Sequence, residues 1–148
     1  MFFLKDLPSR QMLEAYRERF PQLNVEEVGS ALRLLRRASV LLRRIEAYFA
    51  RQSLSQTRFL ILAVLDREGD GGLLAKEIAE KLDVSRPIVT NTLKSMKGDA
   101  LLNIRPHTED GRAKWITLTD AGREKLYAVL PDYYSIIHDF MSHEEDES

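Results

Sequence analysis

The sequence predicts a mainly α-helical fold with one small β-hairpin, and three features carry that expectation. Apolar residues recur at three- and four-residue steps along "VEEVGSALRLLRRASVLLRRIEAYF", the period of an amphipathic helix. Two shorter helical patterns, "LLAKEIAEKL" and "SRPIVTNTLKSMK", are separated only by "DV". Behind them, "LLNIR" and "KWITL" flank a polar turn. The second run places Trp115, Thr117 and Thr119 on one side and Ile116 and Leu118 on the other, as in a strand with one buried face.

The elements follow in order. Residues 9–20 suit a short helix with Met12, Leu13, Tyr16 and Phe20 on its apolar side, limited by Pro21. Asn24 can cap the long helix, whose stripe runs Val28, Leu32, Leu35, Ala38, Leu42, Ile45, Phe49. Its length for so small a chain points to packing beyond its own chain. Its arginines (Arg33, Arg36, Arg37, Arg43, Arg44) read as a solvated face or a binding surface. Ser55 can cap the next helix, through Phe59, Leu62, Ala63 and Leu65 to "EGDGG". That glycine cluster lacks the Lys-Ser/Thr of a phosphate loop and reads as a connection. After the hairpin, Thr119 starts a helix over "DAGREKLYAVL", and another follows Pro131 through Tyr134, Ile137, Phe140 and Met141.

Composition bounds the function. A chain of 148 residues, 44% hydrophobic and 30% charged, suits a single globular domain. It has no cysteine, which removes disulfides, thiolate metal sites and thiol redox sensing and fits a reducing cytoplasm. "MFFLKDLPSR" does not read as a signal peptide, and the longest apolar run, "FLILAVL", is far short of a membrane span. A soluble, cytoplasmic protein without membrane association is expected. The net charge of −1 argues against a general nucleic-acid coat, but the charge is uneven. Arg86, Lys94, Lys97, Arg105, Arg112 and Lys114 outnumber Asp99, Glu109 and Asp110 in mid-chain, while the tail "HEEDES" is acidic.

"AKEIAEKLDVSRPIVTNTLK" has the economy of a helix-turn-helix. Ile78, Leu82, Val84, Val89 and Leu93 can form a small core between two steeply crossed helices. Asp83 occupies the turn, where tolerance of a left-handed backbone is expected to be needed. Ser85 is a natural N-cap, and Pro87 falls in the first turn, where a missing N–H costs little. Ser85, Arg86, Thr90, Asn91 and Lys94 then face outward, donors and acceptors suited to base edges or phosphates. The bland alternative is the polar face of any amphipathic helix. A strand pair directly after such a motif makes a winged helix. Arg112 at the wing tip could enter a minor groove, oriented by Asp110, with Lys114 behind it in the basic stretch. Otherwise the pair is a surface ion pair contributing roughly 0–1 kcal/mol.

From Leu54 to Thr119 the chain resembles the multiple antibiotic resistance regulator (MarR) family of winged-helix transcription factors. "RPHTEDGRAKWITLTDAG" matches the family's wing and its exit, and "LDVSRPIVTNTLKSM" is similar to its recognition helix. The resemblance implies that Asp110 and Arg112 are the wing pair and sets Ser85, Arg86, Thr90 and Lys94 at the DNA-facing surface. It departs at Asn91, where arginine is common, at Gly111 beside a single wing arginine, and at Ala100, where glycine is usual. It further implies a homodimer on double-stranded DNA, commonly a repressor released by a small aromatic ligand. The division expected is helical dimerisation regions at 9–52 and 119–141, a winged helix-turn-helix at 54–118, and an acidic tail at 142–148. Tyr127, Leu130, Tyr133, Tyr134 and Ile137 are candidates for the dimer interface, with intramolecular core as their alternative. Tyr48, Phe49 and Phe59 could line an effector pocket or be core.

Two other functions compete. An enzyme finds little support, since His107, His138 and His143 sit in no nucleophile or metal-ligand motif, and no cofactor or metal is expected. A winged helix that binds protein and not DNA is the other, and salt dependence separates it from DNA binding.

Overall fold

The computed structural model describes residues 2, 4–106, 109 and 113–143. The chain divides into two compact units, Met1–Ile45 and Glu46–Ser148.

In the first unit, helix α1 (Arg10–Arg19) starts at Ser9, whose hydroxyl accepts from the Met12 N–H, and ends two residues before Pro21, with Phe20 as its C-cap. Of its expected apolar side only Leu13 is buried; Met12, Tyr16 and Phe20 are exposed. Helix α2 (Val25–Arg51) is capped by Asn24, whose side-chain oxygen accepts from Glu27 N–H at 3.1 Å. The expected stripe is uneven: Ile45 and Phe49 are buried, Val28, Leu32 and Leu42 are half-buried, and Leu35 and Ala38 lie open.

The second unit is built on α3 (Gln56–Glu68), α4 (Ala75–Lys81), α5 (Arg86–Gly98) and α6 (Asp120–Ser142), with a three-stranded antiparallel sheet. Ser55 and Thr119 cap α3 and α6 through their hydroxyls, as expected. The sheet has order β1-β3-β2, from β1 (Leu73–Leu74), β2 (Leu102–Pro106) and β3 (Lys114–Leu118). Strand β1 is not expected from the sequence, where Leu73 and Leu74 fall in the helical pattern "LLAKEIAEKL". They pair instead with Ile116 and Trp115, because Gly72 lets the chain approach β3 closely. A Cβ on Gly72 would stand 2.4 Å from the Ile116 carbonyl oxygen, and its φ of +70° suits glycine. With β3 central, Thr117 is buried along with Ile116, so the alternation expected of a one-faced strand is not kept.

Two further expectations are corrected, and a third point left open is resolved. Asp83 has no left-handed backbone; the turn is made by Leu82 in an extended conformation (φ −112°, ψ 140°) and an extended Ser85. Pro131 does not divide the last helix, and α6 runs through it. Pro131 and Tyr127 are both exposed, so water can reach the carbonyl that loses its N–H donor, while Leu126 and Val129 keep the helix seated. The third concerns the end of α5, where Gly98 leaves the helix end and wing entry open on sequence. Ala100 itself takes the left-handed conformation (φ 59°), and Leu101 N–H closes the helix end onto the Met96 carbonyl at 3.0 Å. An alanine there is strained by roughly 1–2 kcal/mol. Ala100→Gly should therefore stabilise the protein by about 0.5–1 kcal/mol, after the greater freedom of glycine in the unfolded chain is subtracted. A higher urea midpoint at unchanged slope is the expected reading.

Candidate nucleic-acid interface

Helix α5 is seated by one face. Val89, Leu93 and Met96 are buried on it, and α5 packs against α4, which contributes Ile78, and against β2, which contributes Leu102. Helical periodicity turns the rest outward. Ser85, Arg86, Thr90, Asn91 and Lys94 are all exposed, as the sequence expects, and so are Pro87 and Ile88. Ile88 is not legible as a site residue in the sequence, because an aliphatic side chain offers neither donor nor acceptor.

Ser85 holds the N-cap backbone position, and its carbonyl accepts from Val89 N–H at 3.1 Å. Its hydroxyl makes no capping bond, which departs from the expected cap. One N–H such a hydroxyl would take belongs to the second helical residue, which is Pro87 and has none. The hydroxyl thus stands at the positive end of the helix, where an anion is favoured. The other end is tied down. Arg58 on α3 pairs with Asp99 at 2.8 Å and also donates to the Ser95 hydroxyl. This clamp joins residues far apart in the chain, and no local pattern announces it.

The cations divide into two groups. Arg58, Lys81 and Arg123 each pair with a carboxylate, Asp99, Glu68 and Asp66 respectively. Arg86, Lys94 and Lys114 have no such partner among the described residues. Locally, then, this surface is cationic despite the acidic sum. Lys114 opens β3 opposite Pro106 and is exposed. The expected wing pair, Asp110 and Arg112, lies outside the described residues.

On α6, Tyr127 and Tyr134 are 52% and 59% exposed, while Leu130, Tyr133 and Ile137 are half-buried. The Tyr127 hydroxyl donates to Asp66 at 3.2 Å, and the Tyr133 ring lies 4.7 Å from Phe59 and 5.8 Å from Phe49. Tyr48, Phe49 and Phe59 are buried, with the two phenylalanine rings 4.6 Å apart. The Tyr48 hydroxyl donates to the Val129 carbonyl at 3.0 Å. Burial pushes its pKa above the ordinary phenol value, Asp132 adds to the rise, and Arg51 opposes it. All three side chains are thus packed within the fold. Among the described residues no cluster of three or more His, Asp or Glu could hold a metal ion, and no helix is long and apolar enough to cross a membrane.

A helix-turn-helix followed by a hairpin whose central strand takes in a short third strand defines a winged helix-turn-helix protein. A MarR family model matches residues 52–113. The transcriptional repressor YetL of Bacillus subtilis is 30% identical over 144 residues, covering 97% of this chain and 86% of its own length. The chain belongs to the MarR family of transcriptional regulators. Among solved structures, Sco3205 of Streptomyces coelicolor, a MarR family regulator in complex with DNA, superposes with a TM-score of 0.76 at 17% identity, over 82% of this chain and 77% of that one. The Mycobacterium tuberculosis regulator MosR, also in complex with DNA, gives 0.62 at 25% identity, over 76% and 80%.

Proposed function

We propose that the protein is a sequence-specific DNA-binding transcriptional regulator, acting in the cytoplasm as a homodimer on a pseudo-palindromic operator, without a catalytic role. The observation that carries this reading is the outward face of α5. Its polar side chains and unpaired cations stand on a helix whose opposite face is locked into the core. The name of YetL and the DNA in the two solved complexes support it. Repression, with release by a small aromatic effector, is the mode we infer. Two-fold symmetry would then set the recognition helices roughly 34–36 Å apart, one helical turn of DNA. The apolar side chains left open on α1, α2 and α6, Tyr16, Leu34, Tyr127 and Tyr134 among them, are surfaces that a second copy would cover.

Arg112 is assigned to the minor groove on sequence grounds. Arg112→Ala should weaken binding to every duplex containing the operator by about tenfold or more, without changing base preference, and leave the dimer intact. Competition titration and sedimentation check the two halves of that expectation. Unchanged affinity removes the wing from the interface.

A further inference from the structure

Ile88 is 51% exposed in the first turn and a half of α5, while the apolar side chains beyond it, Val89, Leu93 and Met96, are buried. Around it the surface is polar. Ser85 lies three residues before, Asn91 three residues after, and Arg86 and Lys94, without a carboxylate partner among the described residues, stand on the same exposed surface. Thr92, one turn on, donates its hydroxyl back to the Ile88 carbonyl at 2.7 Å, so the hydroxyl is spent within the helix. The result is a small aliphatic group, Ile88 with the Pro87 ring beside it, within a cationic, hydrogen-bonding face.

A protein partner would call for a cluster of large apolar anchors, whereas α5 exposes one large aliphatic side chain, Ile88, with only the small Pro87 ring beside it. The flanking cations suit a polyanion. On a duplex, the N-terminal residues of a recognition helix meet base edges, and the one apolar group in the major groove is the C5-methyl of thymine. We propose that Ile88 is a specificity-determining residue that packs on a thymine methyl in each half-site, beside Asn91, whose amide suits an adenine edge. This assignment rests on the reading of α5 as a DNA-recognition helix.

The test replaces each thymine of the bound duplex by uracil, one position at a time, which removes only the methyl group. Wild-type protein should lose about three- to fivefold in affinity per half-site at one thymine, the value of one buried methyl. Ile88→Ala should bind the thymine duplex more weakly by a similar factor and no longer distinguish thymine from uracil there. Its thermal midpoint, measured alongside, should be unchanged, since the side chain is exposed. If the wild type is indifferent to uracil at every position, or Ile88→Ala retains the discrimination, the inference is overturned while DNA binding stands. If the wild type shows no salt-sensitive binding to any duplex, the reading beneath it falls as well.

Discussion

Phe49→Ala is expected to destabilise the protein by about 3–5 kcal/mol, the largest single effect among its aromatic residues. The ring is fully buried and packs within 4.6 Å of Phe59 and 5.8 Å of Tyr133, centroid to centroid. Truncation removes the transfer free energy of the ring and leaves a cavity that α2, α3 and α6 can fill only by moving. For a chain of this size the melting temperature should fall by roughly 10–15 °C. The experiment also separates the two roles open to Tyr48, Phe49 and Phe59. A core role gives this loss with no small molecule present. A role confined to effector contact leaves the midpoint within a degree or two of wild type. Phe49→Leu should lose much less than the alanine variant, since it keeps most of the apolar volume.

Gly122→Ala is the second large effect, about 2–4 kcal/mol of destabilisation. Helix propensity alone predicts the opposite sign, a gain of about 1 kcal/mol for alanine inside a helix. Space decides it. Gly122 is buried in the first turn of α6, and a Cβ there would stand 2.2 Å from the Leu101 carbonyl oxygen and 3.3 Å from Leu118 Cδ2. That carbonyl accepts from Thr119 N–H at 3.1 Å, and the Thr119 hydroxyl donates to the Ala100 carbonyl at 2.7 Å. The added methyl group must therefore open the junction between the end of α5, the base of the wing and α6. Overpacking and the lost hydrogen bond together exceed the propensity gain. A guanidinium midpoint shifted down at constant slope is the expected result; a midpoint at or above wild type would mean that the junction yields without cost.

The helices were legible because periodicity and capping are local. Asn24, Ser55 and Thr119 each accept the backbone N–H that their position in the sequence suggests, whereas the Ser85 hydroxyl does not. What depends on distant contacts was not legible. Strand β1 has two residues and exists because Gly72 allows close approach to β3. The continuity of α6 through Pro131, which local rules penalise, depends on the packing of Leu126 and Val129 before it. The Arg58 clamp on Asp99 and Ser95 joins separate helices. Of the candidate site, the polar residues of α5 followed from helical geometry once its buried face was fixed. Ile88 did not, because an outward face searched for donors and acceptors passes over an aliphatic side chain.

The most direct measurement is selection of bound duplexes from a random pool, followed by a salt titration of the winner. A two-fold pseudo-palindrome, with log K falling steeply as log salt rises, is the result expected of paired recognition helices held by phosphate contacts. No enriched sequence, or an affinity indifferent to salt, would contradict it and turn the outward face of α5 toward a protein partner.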